Sequence, residues 1–230
     1  MNSTKKDTME RHAVMAQSSY LRTRKDRQKL IDKYYNGEYE LLDNYSDKIH
    51  TTYRNKSTGD ITLAIRGTDI QNQQGGRIKD LATDVMVGFG IETLSNRYKK
   101  SDKMVEKLKT DFKGKKLTLA SHSLGTSIAQ NLSYKHDIES HGFSAGASPA
   151  HSSLHKHRVL HPKNKWKKGR NNIYLSTPKG FTDFDPISIS ATINPMANVE
   201  WVEKKKLPAK EKGVLEAHSI YHFFPEKATM

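Results

Sequence analysis

A serine between small residues marks the part of the chain where the sequence most strongly indicates chemistry. Residues 121–125 read Ser-His-Ser-Leu-Gly, after the apolar run 117–120 and before a segment whose apolar residues recur every four positions. A strand, a sharp turn and a helix in this order form a nucleophile elbow with a serine at its tip. The pattern predicts that Ser123 is an activated nucleophile. The alternative is a serine that only caps the following helix.

The turn also limits the side chains on either side of the nucleophile. Residues two before and two after Ser123 crowd the neighbouring backbone, so both must be small. Gly125 meets this requirement fully, whereas Ser121 stands where the usual pattern has a second glycine. A serine is still small enough to fit there.

An earlier segment could stabilise the negative charge that develops on an attacked carbonyl. The alternating strand 61–65 is followed by Arg-Gly-Thr at 66–68. Acyl transfer needs two hydrogen-bond donors aimed at the oxyanion. One is normally the backbone N–H after the nucleophile, here that of Leu124, and the other comes from a loop after an earlier strand, here Thr68 in its turn.

These two segments together resemble the fungal-type lipases, the class 3 family of the α/β-hydrolases. In that family Arg-Gly-Ser/Thr after a strand supplies the oxyanion hole, and His-Ser-Leu-Gly carries the nucleophile. Residues 65–68 and 122–125 match both motifs in order, and the resemblance extends over about residues 45 to 224. It implies a serine hydrolase that cleaves carboxylic esters of lipids through an acyl-enzyme intermediate, with no cofactor and no metal.

The resemblance also selects the other members of a catalytic triad, which this fold orders as serine, acid and histidine. The acid of the family lies in an Asp-Pro-apolar turn after a strand, and Asp185 matches it, with Asp183 as the near competitor. Only His218 and His222 follow Asp185 among the 11 histidines. His218, followed by Ser-Ile, resembles the family's last histidine segment, whereas His222 is expected to be a surface or packing histidine.

The order of elements predicts one α/β-hydrolase-like domain over residues 1–230, with a helical N-terminal extension at 1–44. Helices alternate with strands in the middle of the chain, which favours a mostly parallel sheet flanked by helices. Polar residues 56–60 between two alternating runs indicate a β-hairpin. Ser101 is expected to be the N-cap of the helix that leads toward the elbow strand.

Positive charge is the other strong global feature. Lys and Arg total 39 against 25 Asp and Glu, a formal charge of +14. The densest basic run, 151–170, is expected to be a loop that either contacts an anionic membrane surface or is simply solvated. No helix-turn-helix, zinc finger or aromatic RNA-binding signature accompanies it, so a nucleic-acid partner is not favoured. The rival function is a catalytically silent protein of the same fold that uses this basic surface to contact membrane or nucleic acid.

Composition limits the chemistry and the location. The chain has no cysteine, which excludes disulfides, thiolate metal sites and a cysteine nucleophile. No apolar run opens the sequence and none is long enough to span a bilayer. We therefore expect a protein that is not transmembrane and is cytoplasmic, or is packaged or released without a signal peptide.

Overall fold

The computed structural model describes residues 1–67, 91–145, 170–178, 197–205 and 219–225, with backbone only at 91–95. The described helices and strands, in chain order, are α1 (Ser3–Ser18), α2 (Arg24–Tyr35), β1 (Tyr39–Leu41), β2 (His50–Asn55), β3 (Ile61–Ile65), α3 (Ile91–Asp111), β4 (Leu117–His122), α4 (Leu124–His136), β5 (Glu139–Phe143), β6 (Asn171–Ser176) and β7 (Asn198–Val202), with short 3-10 turns at Asp43–Tyr45 and Ile220–Phe223. None of these helices is long and apolar enough to cross a bilayer.

Seven strands of the described chain form one sheet in which each strand lies next to its neighbour in sequence. β1, β2 and β3 are antiparallel, and β3 through β7 are all parallel. The predicted hairpin is confirmed, since β2 pairs with β3 in antiparallel register. The predicted mostly parallel sheet with flanking helices is confirmed as well.

The two faces of the sheet carry two separate apolar clusters. Ile61, Leu63 and Ile65 of β3 point to the face covered by α3 and α4, whereas Ala64 belongs to the cluster that contains α1. This alternation follows from the two-residue period of a strand. α4 packs on β4 and β5 from one side, and α1 packs on β3, β4 and β5 from the other. The elbow between β4 and α4 is therefore supported by a helix on each face.

The N-terminal region takes part in the core. Met9 and the run Ala13 to Ala16 on α1 are almost completely buried. The segment 1–44 also contains the strand β1, which extends the sheet beside β2. Small side chains at Ala13 and Ala16 let α1 approach the sheet closely, which a weakly amphipathic sequence pattern does not reveal.

The predicted start of α3 is wrong. The helix begins at Ile91, ten positions before Ser101 in the printed sequence. Ser101 lies fully buried within it, and its hydroxyl donates to the carbonyl of Arg97 at 2.9 Å. A serine can satisfy its hydroxyl on the carbonyl four residues earlier, so it need not mark a helix terminus.

Candidate active site

The backbone at Ser123 has an unusual conformation. Ser123 joins the end of β4 to the start of α4 with φ 54° and ψ −130°. Asn36 and Asp137 also have positive φ, but both are ordinary left-handed helix C-caps with ψ near 41° and 47°. A non-glycine residue held outside the left-handed basin costs on the order of 1–3 kcal/mol, and such strain clusters at functional sites. The predicted strand, turn and helix around the elbow are all present.

Hydrogen bonds hold the elbow in this conformation. The Ser123 N–H donates to the carbonyl of Phe143 at 3.0 Å, which extends the β4–β5 ladder by one residue. The Ser123 carbonyl accepts from the N–H of Thr126 at 3.0 Å. The Ser123 side chain accepts no capping hydrogen bond from the N–H groups of the first turn of α4, all of which the structure describes. The geometry therefore does not match that of a capping serine, which accepts from that turn with extended backbone.

Two glycines permit the close approach of β3 to the elbow. A Cβ on Gly125 would lie 2.4 Å from the carbonyl oxygen of Ile65. A Cβ on Gly67 would lie 2.5 Å from the carbonyl oxygen of His122 and 3.0 Å from Cβ of Ser123. The turn after β3 thus lies directly against the serine, and its next residue is Thr68. Thr68 itself lies outside the described residues.

Ser121 is accommodated by a specific set of neighbours. Its side chain is fully buried, with Oγ 3.3 Å from Oγ1 of Thr126 and 3.4 Å from the carbonyl oxygen of His141. The methyl of Thr126 occupies the space beside Gly142, where a Cβ would lie 2.2 Å away. The hydroxyl at the position of the usual glycine is therefore within hydrogen-bonding distance of Thr126, which in turn requires glycine at 142.

Tyr20 links the two halves of the site, although no sequence pattern indicated it. Tyr20, between α1 and α2, accepts a hydrogen bond from the N–H of Gly67 at 3.0 Å, and its Oη lies 2.9 Å from Nδ1 of His122. Arg97 of α3 donates to the carbonyls of Arg66 and Gly67. Burial lowers the pKa of Arg97, and arginine remains charged at neutral pH even so. No local sequence pattern identifies Tyr20, because its contacts join segments far apart in the chain.

Of the other predicted site residues and their competitors, the structure describes Leu124 and His222. Leu124 is the first residue of α4, so its N–H belongs to the helix end whose donors the helix does not use. Asp185, Asp183 and His218 lie outside the described residues. His222 is fully buried in the turn Ile220–Phe223 and is not a surface residue.

One cluster outside the elbow brings metal-ligand types together. Ligand atoms of Asp102, Glu106 and His136 lie within 4.8 Å of one another. The ammonium of Lys135 lies 2.6 Å from Asp102 and 3.8 Å from Glu106, so this cluster already contains a positive charge. Burial raises the pKa of Asp102, but hydrogen bonds from Lys135 and His136 lower it by more, so the pKa stays below its ordinary value. Of the basic run 151–170, which is expected to be a loop, only Arg170 is among the described residues, and its histidines are not.

Comparisons with known proteins give matches by structure but none by sequence. No protein-family model matches the chain, and no curated protein sequence does. A lipase from Rhizopus microsporus var. chinensis superposes with a TM-score of 0.57 at 14% identity, over 97% of this chain and 87% of the lipase. MDLA from Penicillium cyclopium, in a mutant form, gives 0.55 at 12% identity over 90% and 83%. A Rhizomucor miehei lipase propeptide complex, a deletion mutant, gives 0.54 at 12% identity over 97% and 77%.

The two sequence motifs resemble those of the fungal-type lipases, and the structural matches include fungal lipases. At this level of identity the matches establish the fold only, and the function has to be argued from the site residues of this chain. The protein has the α/β-hydrolase fold of the fungal lipases.

Proposed function

We propose that this protein is a serine hydrolase that cleaves carboxylic esters of lipids. The observation that carries the proposal is the strained backbone of Ser123 at the junction of β4 and α4, with Gly67 and Gly125 packed against it. Strain of this kind is maintained only where the surrounding structure enforces it. In this fold an elbow places its serine beside the loop that supplies an oxyanion donor.

The proposed reaction has two steps that share one intermediate. Oγ of Ser123 bonds to the acyl carbon while His218 takes its proton, and His218 then gives that proton to the leaving alcohol. In the second step His218 takes a proton from water, whose oxygen bonds to the acyl carbon. The bond between the acyl carbon and Oγ of Ser123 then breaks, His218 gives the proton to Oγ, and the acid leaves. Asp185 orients His218, and the backbone N–H of Leu124 together with Thr68 stabilises the oxyanion.

The proposed substrate is a lipid ester. Fold neighbours that are lipases support this class, and the positive charge of +14 favours anionic lipid surfaces. The basic loop 151–170 would hold the enzyme there at about 1 kcal/mol for each Lys or Arg near the surface. Vesicle binding and hydrolysis should be compared for Lys165→Gln/Lys167→Gln/Lys168→Gln and the unmodified protein, on anionic and zwitterionic lipid. Equal binding and hydrolysis by both proteins on both kinds of vesicle would show that the loop is a solvated segment with no role in membrane binding.

Fluorophosphonate labelling separates the proposed hydrolase from a silent binding protein of the same fold. An activated serine reacts readily with such a probe, whereas an ordinary hydroxyl does not. We expect a single modified peptide containing Ser123, and no label on the Ser123→Ala variant. A folded protein that takes no label would contradict the hydrolase and favour the binding role of the basic surface.

A further inference from the structure

We infer that Tyr20 is a positioning residue, which holds the turn after β3 in place against the nucleophile elbow. This inference rests on the proposed hydrolase function, because the turn leads directly into Thr68. It also assigns the N-terminal region a role in the site, since Tyr20 lies in the segment that joins α1 to α2.

The hydroxyl of Tyr20 joins two backbone segments through one oxygen. It accepts from the N–H of Gly67 at 3.0 Å, and it lies 2.9 Å from Nδ1 of His122. Gly67 directly precedes Thr68, and His122 directly precedes Ser123. One arrangement satisfies all three groups, in which Oη accepts from Gly67 and the phenolic O–H donates to the unprotonated Nδ1 of His122.

Further contacts hold the same turn from its other sides. The guanidinium of Arg66 lies over the ring of Tyr20, 5.1 Å from its centroid. Arg97 donates to the carbonyls of Arg66 and Gly67, so the N–H of the turn is held by Tyr20 and its carbonyls by Arg97. A Cβ on Gly67 would lie only 2.5 Å from Oη of Tyr20. The hydroxyl thus occupies the space that any larger residue at 67 would need.

This arrangement has a consequence for the oxyanion donor at Thr68. A donor acts fully only within about 0.5 Å of the productive position, and its supporting hydrogen bonds determine that accuracy. Removing the hydroxyl leaves Gly67 without its accepting partner on Tyr20, so the turn can shift and carry Thr68 with it. The ring and its contact with Arg66 remain in Tyr20→Phe.

The test compares Tyr20→Phe with Tyr53→Phe, a matched loss of one tyrosine hydroxyl. Tyr53 on β2 is fully buried and donates to the carbonyl of Arg27 at 3.2 Å, on a strand that does not carry the elbow. In Tyr20→Phe we expect the rate of fluorophosphonate labelling and kcat for a short-chain ester to fall roughly 10- to 100-fold. KM should stay within about twofold, because ground-state binding does not use the oxyanion donors. Tyr53→Phe should match the unmodified protein in both rates.

A second measurement does not depend on activity. The ring-nitrogen shifts of His122 and the amide hydrogen exchange of Gly67 should both change in Tyr20→Phe and stay unchanged in Tyr53→Phe. Labelling at the unmodified rate in Tyr20→Phe would overturn the inference while leaving the hydrolase proposal intact. An unmodified protein that takes no label would overturn the hydrolase proposal, and with it the effect of Tyr20 on the reaction. Unchanged exchange at Gly67 would overturn the structural link itself.

Discussion

Ser101 and Ser123 are both buried serines, but they differ in the backbone that carries them and in the elements that surround them. Ser101 lies in a chain of three groups: its Oγ is 2.8 Å from Nε2 of His50, and Nδ1 of His50 is 3.1 Å from a carboxylate oxygen of Asp47. These are the residue types and contacts of a catalytic triad. Ser123 instead occupies the strained turn between β4 and α4.

The contacts of the Asp47–His50–Ser101 group connect two elements of the fold. Nδ1 of His50 donates to the carboxylate of Asp47, which can only accept. The hydroxyl of Ser101 can also donate to the carbonyl of Arg97 at 2.9 Å, so it has a second partner inside α3. The group thus joins β2 to α3.

The backbone setting differs just as much. Ser101 lies inside α3, where backbone N–H groups are used by the helix, and its side chain is fully buried. Ser123 directly precedes Leu124, the first residue of α4, whose N–H is not used by the hydrogen bonds of the helix. An oxyanion needs such donors, so only the second setting can stabilise the intermediate. A serine beside a histidine is thus weaker evidence for catalysis than a serine on a strained elbow.

The largest expected effect separates the two serines directly. Ser123→Ala should lower kcat for ester hydrolysis by about 10⁴-fold or more, because the nucleophile is gone. Ser101→Ala should retain turnover per folded molecule and lose stability, since Nε2 of His50 loses its hydrogen-bond partner on Ser101. Ester kinetics and circular dichroism on both variants check this. Activity that survives in Ser123→Ala and disappears in Ser101→Ala would reverse the assignment.

The histidines extend the comparison. His218→Gln and Asp185→Asn should each cost roughly 10⁴-fold in kcat, because the general base or its orientation is lost. His50→Gln should keep its turnover and unfold at a lower temperature. The matched control is His222→Gln, which replaces a fully buried ring and should also act mainly on stability. If His222→Gln alone removed activity, the base would be His222 and not His218.

A smaller effect concerns the space around the elbow. Gly125→Ala places a methyl against the carbonyl of Ile65, at 2.4 Å before relaxation. Overpacking of this kind costs about 1–3 kcal/mol and moves the backbone, so both stability and labelling of Ser123 should fall. Gly114→Ala serves as the control, because its Cβ meets nothing within 4 Å and only its positive φ of 84° is strained. Urea unfolding measures the loss of stability in each variant, and fluorophosphonate labelling measures the loss of reactivity at Ser123. An equal loss of labelling in Gly125→Ala and Gly114→Ala would show that the close approach does not matter.

The smallest expected effect is a loss of folding stability at acidic pH, through Asp47. Partial burial raises the pKa of Asp47, but hydrogen bonds from His50 and from the N–H groups of Ile49 and His50 lower it well below the ordinary value of 3.8. The unfolded chain therefore binds this proton first as pH falls, and folded-state stability falls with it. The contribution of Asp47 is present above about pH 4 and is lost as pH falls through the folded pKa. Asp47→Asn should flatten this part of the stability curve, as urea midpoints against pH would show, with labelling of Ser123 unchanged at neutral pH.

Local patterns in the sequence predicted the elements around the elbow well. The alternation in β3, the apolar run of β4 and the four-residue spacing in α4 are each set by residues only a few positions apart. Ser101 shows where local signals fail, because a serine suits a helix cap and also a helix interior with an accepting carbonyl. The burial of α1 shows the same limit, since what its small apolar residues contact depends on the sheet.

The sequence by itself determined the elbow and its neighbours, because strand, tight turn and helix are encoded by residues a few positions apart. The need for a small residue at Gly125 follows from the same local pattern. Tertiary structure alone decided that Tyr20 joins Gly67 to His122 and that His50 connects β2 to Ser101 of α3. Those links are single hydrogen bonds between segments distant in sequence, and their partners become defined only when the chain has packed around both faces of the sheet.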